Sequence, residues 1–207
     1  KGSFIVSGRR TYIDVLTQPV IRAFNNGNSA GYYFYDLNTK ANYEINDKNK
    51  VYLSGYFGRD KFYANIKESF DNQSYKSDIN FGWGNATGTA RWNHVVNPKL
   101  FSNTSFIYSF YELAIKAEEE ENDQQLFSLK YGSGIEDYSI KQDFDWYANN
   151  KHKVKFGVLA THHTFTPDAL VITDAVFGEN LNRKTEYKSI ETGFYIQDEW
   201  KITNRLK

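Results

Sequence analysis

The chain has 207 residues with 25 basic and 25 acidic side chains, a balance that predicts no electrostatic preference for nucleic acid. It has no cysteine, which excludes disulfides, thiol catalysis and zinc–thiolate sites. A mean hydropathy of −0.65 and the lack of any apolar run of about 18 residues exclude a transmembrane helix, but not a β-barrel, whose strands need apolar residues only at alternate positions.

A first strand is expected over about residues 3–13. The polar connection near 14–31 can hold a short helical turn through Leu16, Val20 and Phe24, stopped by Asn25-Asn26-Gly27. The second strand alternates most clearly: Tyr33, Tyr35, Leu37, Ala41, Tyr43 and Ile45 share one face, and Asp36, Asn38, Lys40, Asn42 and Glu44 share the other. A period of two is the strand's signature, because successive side chains point to opposite faces. The third strand sets Val51, Leu53 and Phe57 on its apolar side, and the fourth sets Ala86, Gly88, Ala90 and Trp92 against Asn85, Thr87, Thr89, Arg91 and Asn93. A fifth strand is expected over about 99–117. In the sixth, Ile140, Phe144 and Trp146 oppose Lys141, Asp143 and Asp145, and Gly132-Ser133-Gly134 marks a bulge or bend. The seventh opposes Val154, Phe156, Val158 and Ala160 to Lys153 and Lys155, and the eighth opposes Ile190, Phe194, Ile196 and Trp200 to Glu191, Gln197 and Glu199.

Four short turns punctuate this pattern: Asn46-Asp47-Lys48-Asn49, Val96-Asn97-Pro98-Lys99, Asn149-Asn150-Lys151 and Thr203-Asn204-Arg205. Positions 47, 98, 150 and 204 step by 51, 52 and 54 residues. Soluble strands usually run about 5–6 residues, so such a repeat implies much longer strands, with short turns at one end and longer connections at the other. That is the plan of a membrane-spanning barrel. The fold expected is all-β: an antiparallel meander of about eight long strands, part of a transmembrane β-barrel, with no internal domain boundary. Lys1 in place of an initiator, the absence of methionine and the strand-like start at Leu206-Lys207 suggest a piece of a longer polypeptide.

Each turn is preceded by an aromatic residue on the apolar face: Tyr43, Trp92, Trp146 and Trp200. Aromatic rings favour the membrane–water boundary, so these four are expected to form an arc of interfacial girdle. The polar face, with Asn38, Lys40, Glu44, Arg91, Lys141, Asp143, Asp145, Lys153, Lys155, Glu191 and Glu199, is expected to project into a lumen. Polar connections are expected near 63–79, 118–125 and 168–186, with Glu118-Glu119-Glu120-Glu121 as a solvated loop tip. Tyr63, Asn65, Tyr75, Asp168, Phe177 and Asn180 in two of these loops suit stacking and hydrogen bonding with an external solute.

Several stretches resemble the barrel of TonB-dependent outer-membrane receptors. They are Gly8-Arg9-Arg10-Thr11-Tyr12-Ile13-Asp14, Phe34 to Tyr43, Asn46-Asp47-Lys48-Asn49 leading into Tyr52-Leu53-Ser54-Gly55-Tyr56, Trp83-Gly84-Asn85, Arg91-Trp92-Asn93-His94, Asn97-Pro98-Lys99-Leu100-Phe101 and His152 to Gly157. The resemblance covers essentially the whole chain and looks like the subtype with a carboxypeptidase-regulatory-like domain before the plug. It implies a barrel of about 22 strands around a plug, in the outer membrane of a Gram-negative bacterium. Outer-membrane lipid, the plug, the remaining strands, the TonB complex and a nutrient ligand are the implied partners. Residues 1–207 would be a partial barrel, without the plug and the closing strands.

No catalytic constellation stands out, and no cofactor is expected. His162 and His163 are adjacent on a strand and point to opposite faces, which excludes one shared ion in regular geometry. Asp143 and Asp145 share a face with Lys141, which favours an ion-pair network over a paired-carboxylate site. The acidic loop lacks the glycine and spaced oxygen ligands of a calcium loop. The expected function is a wall segment of an energised outer-membrane transporter, not an enzyme. A complete eight-stranded barrel of structural or enzymatic role and a soluble carbohydrate-binding β-sandwich are the alternatives.

Overall fold

The computed structural model describes residues 1–25, 28–70 and 73–202. Asn26, Gly27, the Thr203-Asn204-Arg205 turn and Leu206-Lys207 lie outside them. The elements are β1 (Gly2–Arg10), α1 (Ile13–Phe24), β2 (Ser29–Asn46), β3 (Asn49–Phe70), β4 (Gln73–Asn97), β5 (Leu100–Glu121), β6 (Gln124–Tyr147), β7 (His152–Asp174) and β8 (Glu179–Trp200). They form one eight-stranded sheet in sequential order, with every neighbouring pair antiparallel. The expected meander is present, while the described residues contain no second sheet, as a sandwich would require.

The short turns close by one device. The side-chain oxygen of Asn46 accepts the N–H of Lys48 at 3.0 Å, that of Asn97 the N–H of Lys99 at 2.9 Å, and that of Asn149 the N–H of Lys151 at 2.8 Å. An asparagine that bonds the backbone two residues on mimics a backbone turn and fixes where the strand reverses. The Asn-X-Lys spacing that sets the sequence repeat therefore has a structural cause.

The connections at the other end are far shorter than expected. The regions 63–79 and 168–186 are mostly paired strand, β3 running to Phe70, β4 starting at Gln73, β7 running to Asp174 and β8 starting at Glu179. The 118–125 region reduces to Asn122 and Asp123, both with positive φ (49° and 63°), while Glu118 to Glu121 belong to β5. Left-handed backbone suits Asn and Asp, whose short polar side chains tolerate it. In the first connection the short helical turn is the 12-residue α1, joined to the sheet by Arg10–Asp14 at 2.9 Å and by Gln18 donating to the Tyr63 hydroxyl at 2.5 Å. Gly132-Ser133-Gly134 does carry a register shift, and β7 has another between Phe165 and Asp168, where Pro167 cannot donate to the ladder.

A strand of 22 residues, the length of β3, β5 and β8, is roughly 70 Å long at about 3.3 Å per residue. That is more than twice an apolar band of about 25 Å, even allowing for strand tilt. Each of the long strands β2 to β8 therefore has a half proximal to the short turns and a half distal to them. None of the described apolar side chains is fully buried, as a single layer without a core requires.

Candidate functional site

Cross-strand registers carry each residue to its face, because directly opposed residues project to the same side. Tyr43 opposes Val51, which opposes Trp92; Trp146 opposes Val154 and Trp200 opposes His152. All four aromatics project from one side of the sheet, the first face, and each is between 45% and 60% exposed. Phe57, Phe106, Ile140, Val158, Phe194 and Ile196 lie on the same face, exposed from 42% to 84%. A trough of about 920 Å³ crosses this face where Gly55, Gly88, Ala90 and Ala160 carry little side chain, and all eight strands contribute to it.

The eleven polar residues singled out in the sequence all project from the other side, the second face. Several of them form local pairs: Lys50–Glu44 at 2.8 Å, Lys141–Asp143 at 3.0 Å and Lys155–Asp145 at 3.4 Å, with Lys153 also 3.9 Å from Asp145. Tyr195 donates to Asp143 at 2.7 Å. Asp143 and Asp145 are thus engaged by separate cations, in an ion-pair network rather than a paired-carboxylate site. Glu191 lies 3.5 Å from Nε2 of His163, while Glu199 opposes Lys153. His162 and His163 do project to opposite faces, and no group of metal-ligating side chains occurs among the described residues.

The six residues expected in ligand loops are dispersed. Tyr63 and Asn65 lie on β3, Tyr75 on β4, Asp168 on β7 and Asn180 on β8, all on paired backbone, and Phe177 alone is in a turn. Tyr63, Asn65 and Asn180 project from the first face, Tyr75 and Asp168 from the second. Most have internal partners: Ser29 donates to Asn65 at 3.1 Å, Tyr75 to Glu121 at 2.8 Å, and Arg183 pairs with Asp168 at 2.7 Å. They do not converge on one site.

A different cluster does. In the distal half of the second face, Tyr32, Phe62, Phe81, Ile115 and Tyr131 oppose one another in one row across β2 to β6. The next row on that face holds Phe34, Asp60, Trp83, Leu113 and Ser133. Tyr32 stacks on Trp83 with centroids 6.3 Å apart, Phe81 meets Trp83 at 5.1 Å, and the Tyr32 hydroxyl donates to Asp60. Three stackable rings beside one carboxylate can hold a planar or apolar solute by its faces and orient a donor group.

On the first face at this height the residues are Tyr33, Lys61, Gly82 and Ala114, then Tyr35, Arg59, Gly84 and Glu112. The two faces have exchanged character, with no register shift between them in this stretch. Sequence reasoning missed the cluster, although a signal was present. Bulky residues change parity along each strand, from Trp92 to Trp83 on β4, from Phe57 to Phe62 on β3 and from Phe110 to Tyr111 and Leu113 on β5.

One antiparallel meander of such length, with a face that is exposed and apolar in its proximal half, has the architecture of a stretch of β-barrel wall. No sequence family matches the chain, and no curated protein does. Among solved structures it is similar to the ferric yersiniabactin uptake receptor FyuA from Yersinia pestis, with a TM-score of 0.60 at 8% identity over 86% of this chain. Weaker likenesses are to the ferric citrate transporter FecA (TM-score 0.47, 7% identity, 86% of this chain and 26% of that one) and to BauA, the ferric preacinetobactin receptor from Acinetobacter baumannii (0.43, 10%, 83% and 29%). This chain spans 27% of FyuA's length. The resemblance to a TonB-dependent receptor barrel read from the sequence holds at the level of fold.

Proposed function

We propose that the chain is a segment of the wall of an energised outer-membrane transporter, and that its distal aromatic rows contribute to capture of the transported solute. The observation that carries this reading is the first face. Its proximal half presents rows of exposed large apolar side chains on a sheet with no covering layer, and bilayer hydrocarbon is the surrounding in which such a face is stable. Acyl chains fill the trough left by Gly55, Gly88, Ala90 and Ala160. The tyrosine and three tryptophans lie at the periplasmic boundary, and the ion-paired second face meets water or a plug.

β1 and β8 do not touch each other, which favours an arc of a larger barrel over a closed eight-stranded one. Both edges are free to pair with further strands. The likeness in fold to FyuA, a ferric yersiniabactin uptake receptor, supports uptake as the parent protein's task. The plug, the TonB complex and a nutrient ligand are the partners this reading assigns to the parent.

The lack of cysteine in the chain makes the test clean. In the parent protein, with any cysteines outside this chain replaced, Phe156→Cys and Lys155→Cys place single thiols on opposite faces of β7. A water-soluble maleimide added to permeabilised cells should label position 155 and leave position 156 unreacted until detergent is added. Equal labelling of both before detergent rejects the lipid-facing assignment.

A further inference from the structure

In the distal half of the first face lies a recess of about 360 Å³ lined by Arg59, Lys61, Lys116, Tyr33 and Tyr35, with Gly82 and Ala114 as its floor. Lys61 opposes Tyr33 on one side and Gly82 on the other; Arg59 sits in the neighbouring row toward the short turns and Lys116 in the neighbouring row away from them. The opening exists because β4 puts glycines between the cations of β3 and β5. A Cβ on Gly84 would lie 2.7 Å from the carbonyl oxygen of Gly58, so backbone approach demands glycine there. Arg10 flanks the recess, its guanidinium 4.7 Å from the Tyr33 ring centre.

Charge at this height is sorted by face. Of the two aromatic rows on the second face only Asp60 is charged, whereas three cations line the recess on the first. Arg59 has one loose carboxylate partner, Glu112 at 3.5 Å, and Lys116 is held by Glu118 at 2.6 Å. Lys61 has no carboxylate within ion-pair distance among the described residues. A recess of this composition suits a phosphate group, with Arg59 offering a two-pronged donor and the lysines point charges. The row immediately below on the same face is Leu37, Phe57, Ala86 and Phe110, the top of the apolar band. A phosphate held in the recess therefore has acyl-accepting surface directly beneath it.

We propose that this recess binds the phosphorylated headgroup of an outer-leaflet lipid, whose acyl chains lie down the apolar face. The proposal rests on the wall reading above, since it needs the first face to border the bilayer. Free phosphate supplies the same charge but has no use for the apolar rows. The ligand chosen is the lipid because anion recess and apolar band are contiguous on one face.

The test uses the full-length parent protein reconstituted in phosphatidylethanolamine vesicles containing a few per cent of a fluorescent diphosphorylated glycolipid or its dephosphorylated form. Insertion is monitored separately by heat-modifiable migration on a gel. The wild-type protein should retain the phosphorylated lipid selectively through purification. Retention should fall at least about tenfold in Arg59→Ala/Lys61→Ala/Lys116→Ala, as expected when several charge-assisted contacts are lost. Lys61→Gln alone should show a smaller loss, and it keeps the test decisive if the triple variant does not assemble. Lys141→Ala, on the second face, should retain the lipid as the wild type does. Inserted protein that retains both lipids equally, or a Lys61→Gln variant with undiminished retention, overturns the site and leaves the wall reading standing. Displacement of the lipid by millimolar inorganic phosphate would overturn the lipid as occupant, and failure of the wild type to insert would overturn both readings.

Discussion

The turn-proximal and turn-distal halves of this wall share one hydrogen-bonded ladder but have opposite surfaces. Near the short turns the first face is apolar, with Leu53, Phe57, Ala90 and Phe106, and the second carries Lys40, Arg91 and Lys141. Further along the same strands, from the row next to Phe57 outward, the first face carries Arg59, Lys61 and Lys116 and the second Phe62, Trp83 and Leu113. Backbone pairing runs through the boundary undisturbed. The side-chain pattern thus reports what each face touches at each height, and a polar stretch does not mean that the strand has ended.

The largest test of this contrast is a cation placed on the first face in each half. Ile140 lies on the first face of the proximal half, six residues from the boundary residue Trp146, and Ile140→Arg should destabilise the parent protein by about 2–4 kcal/mol, the cost of a cation near the bilayer midplane. Tyr35→Arg, beside Arg59 at the upper margin, should cost about 0–1 kcal/mol. Folding titrations into lipid vesicles measure both, and equal penalties would remove the distinction between the halves.

The second test sits on the other face of the distal half. Trp83→Ala removes the ring shared by Tyr32 and Phe81, and solute binding to whole cells should weaken roughly tenfold or more, as for a central aromatic anchor. Phe177→Ala, in the exposed β7–β8 turn, should leave binding unchanged. The reverse ranking would return recognition to the loops.

The smallest expected effect lies at the distal tip. Lys76 donates to the Asp123 carboxylate and holds its pKa below the ordinary value. A carboxylate with a depressed folded pKa contributes stability at pH above its unfolded value, and that contribution is lost as pH falls through the folded one. The stability difference between wild type and Asp123→Asn should therefore be present at neutral pH and vanish in acid. Because the pair is solvent-exposed, added salt should shrink it further. A difference that persists in acid would show that the asparagine changes the turn's backbone instead.

In the proximal half, the sequence reads almost directly as structure. Alternation from Leu37 to Glu44 and from Lys153 to Ala160 assigned faces that the registers share, because apolar and polar side chains there take mostly alternate positions. The Asn-X-Lys turns were legible for a local reason, since an Asn side chain closes its own turn. In the distal half the same reasoning misplaced Tyr63, Asn65, Tyr75, Asp168 and Asn180 in loops. Polar side chains on the first face, such as Arg59, Lys61 and Lys116, remove the alternation that makes a strand visible, and Glu118 to Glu121 read as a solvated tip although they pair with Gln124, Gln125, Phe127 and Ser128.

The sequence by itself determined the strand class, the spacing of the hairpins, the position of the three described short turns and the side of each proximal side chain. All of these depend on period-two alternation and on contacts a few residues apart. Only the tertiary structure decided how far each strand runs, which residues oppose one another across β2 to β6, and hence that Tyr32, Phe81 and Trp83 meet on one face while Arg59, Lys61 and Lys116 meet on the other. Across strands, those groupings join residues 49 to 57 positions apart in the chain. They are set by cross-strand register, which no local pattern encodes.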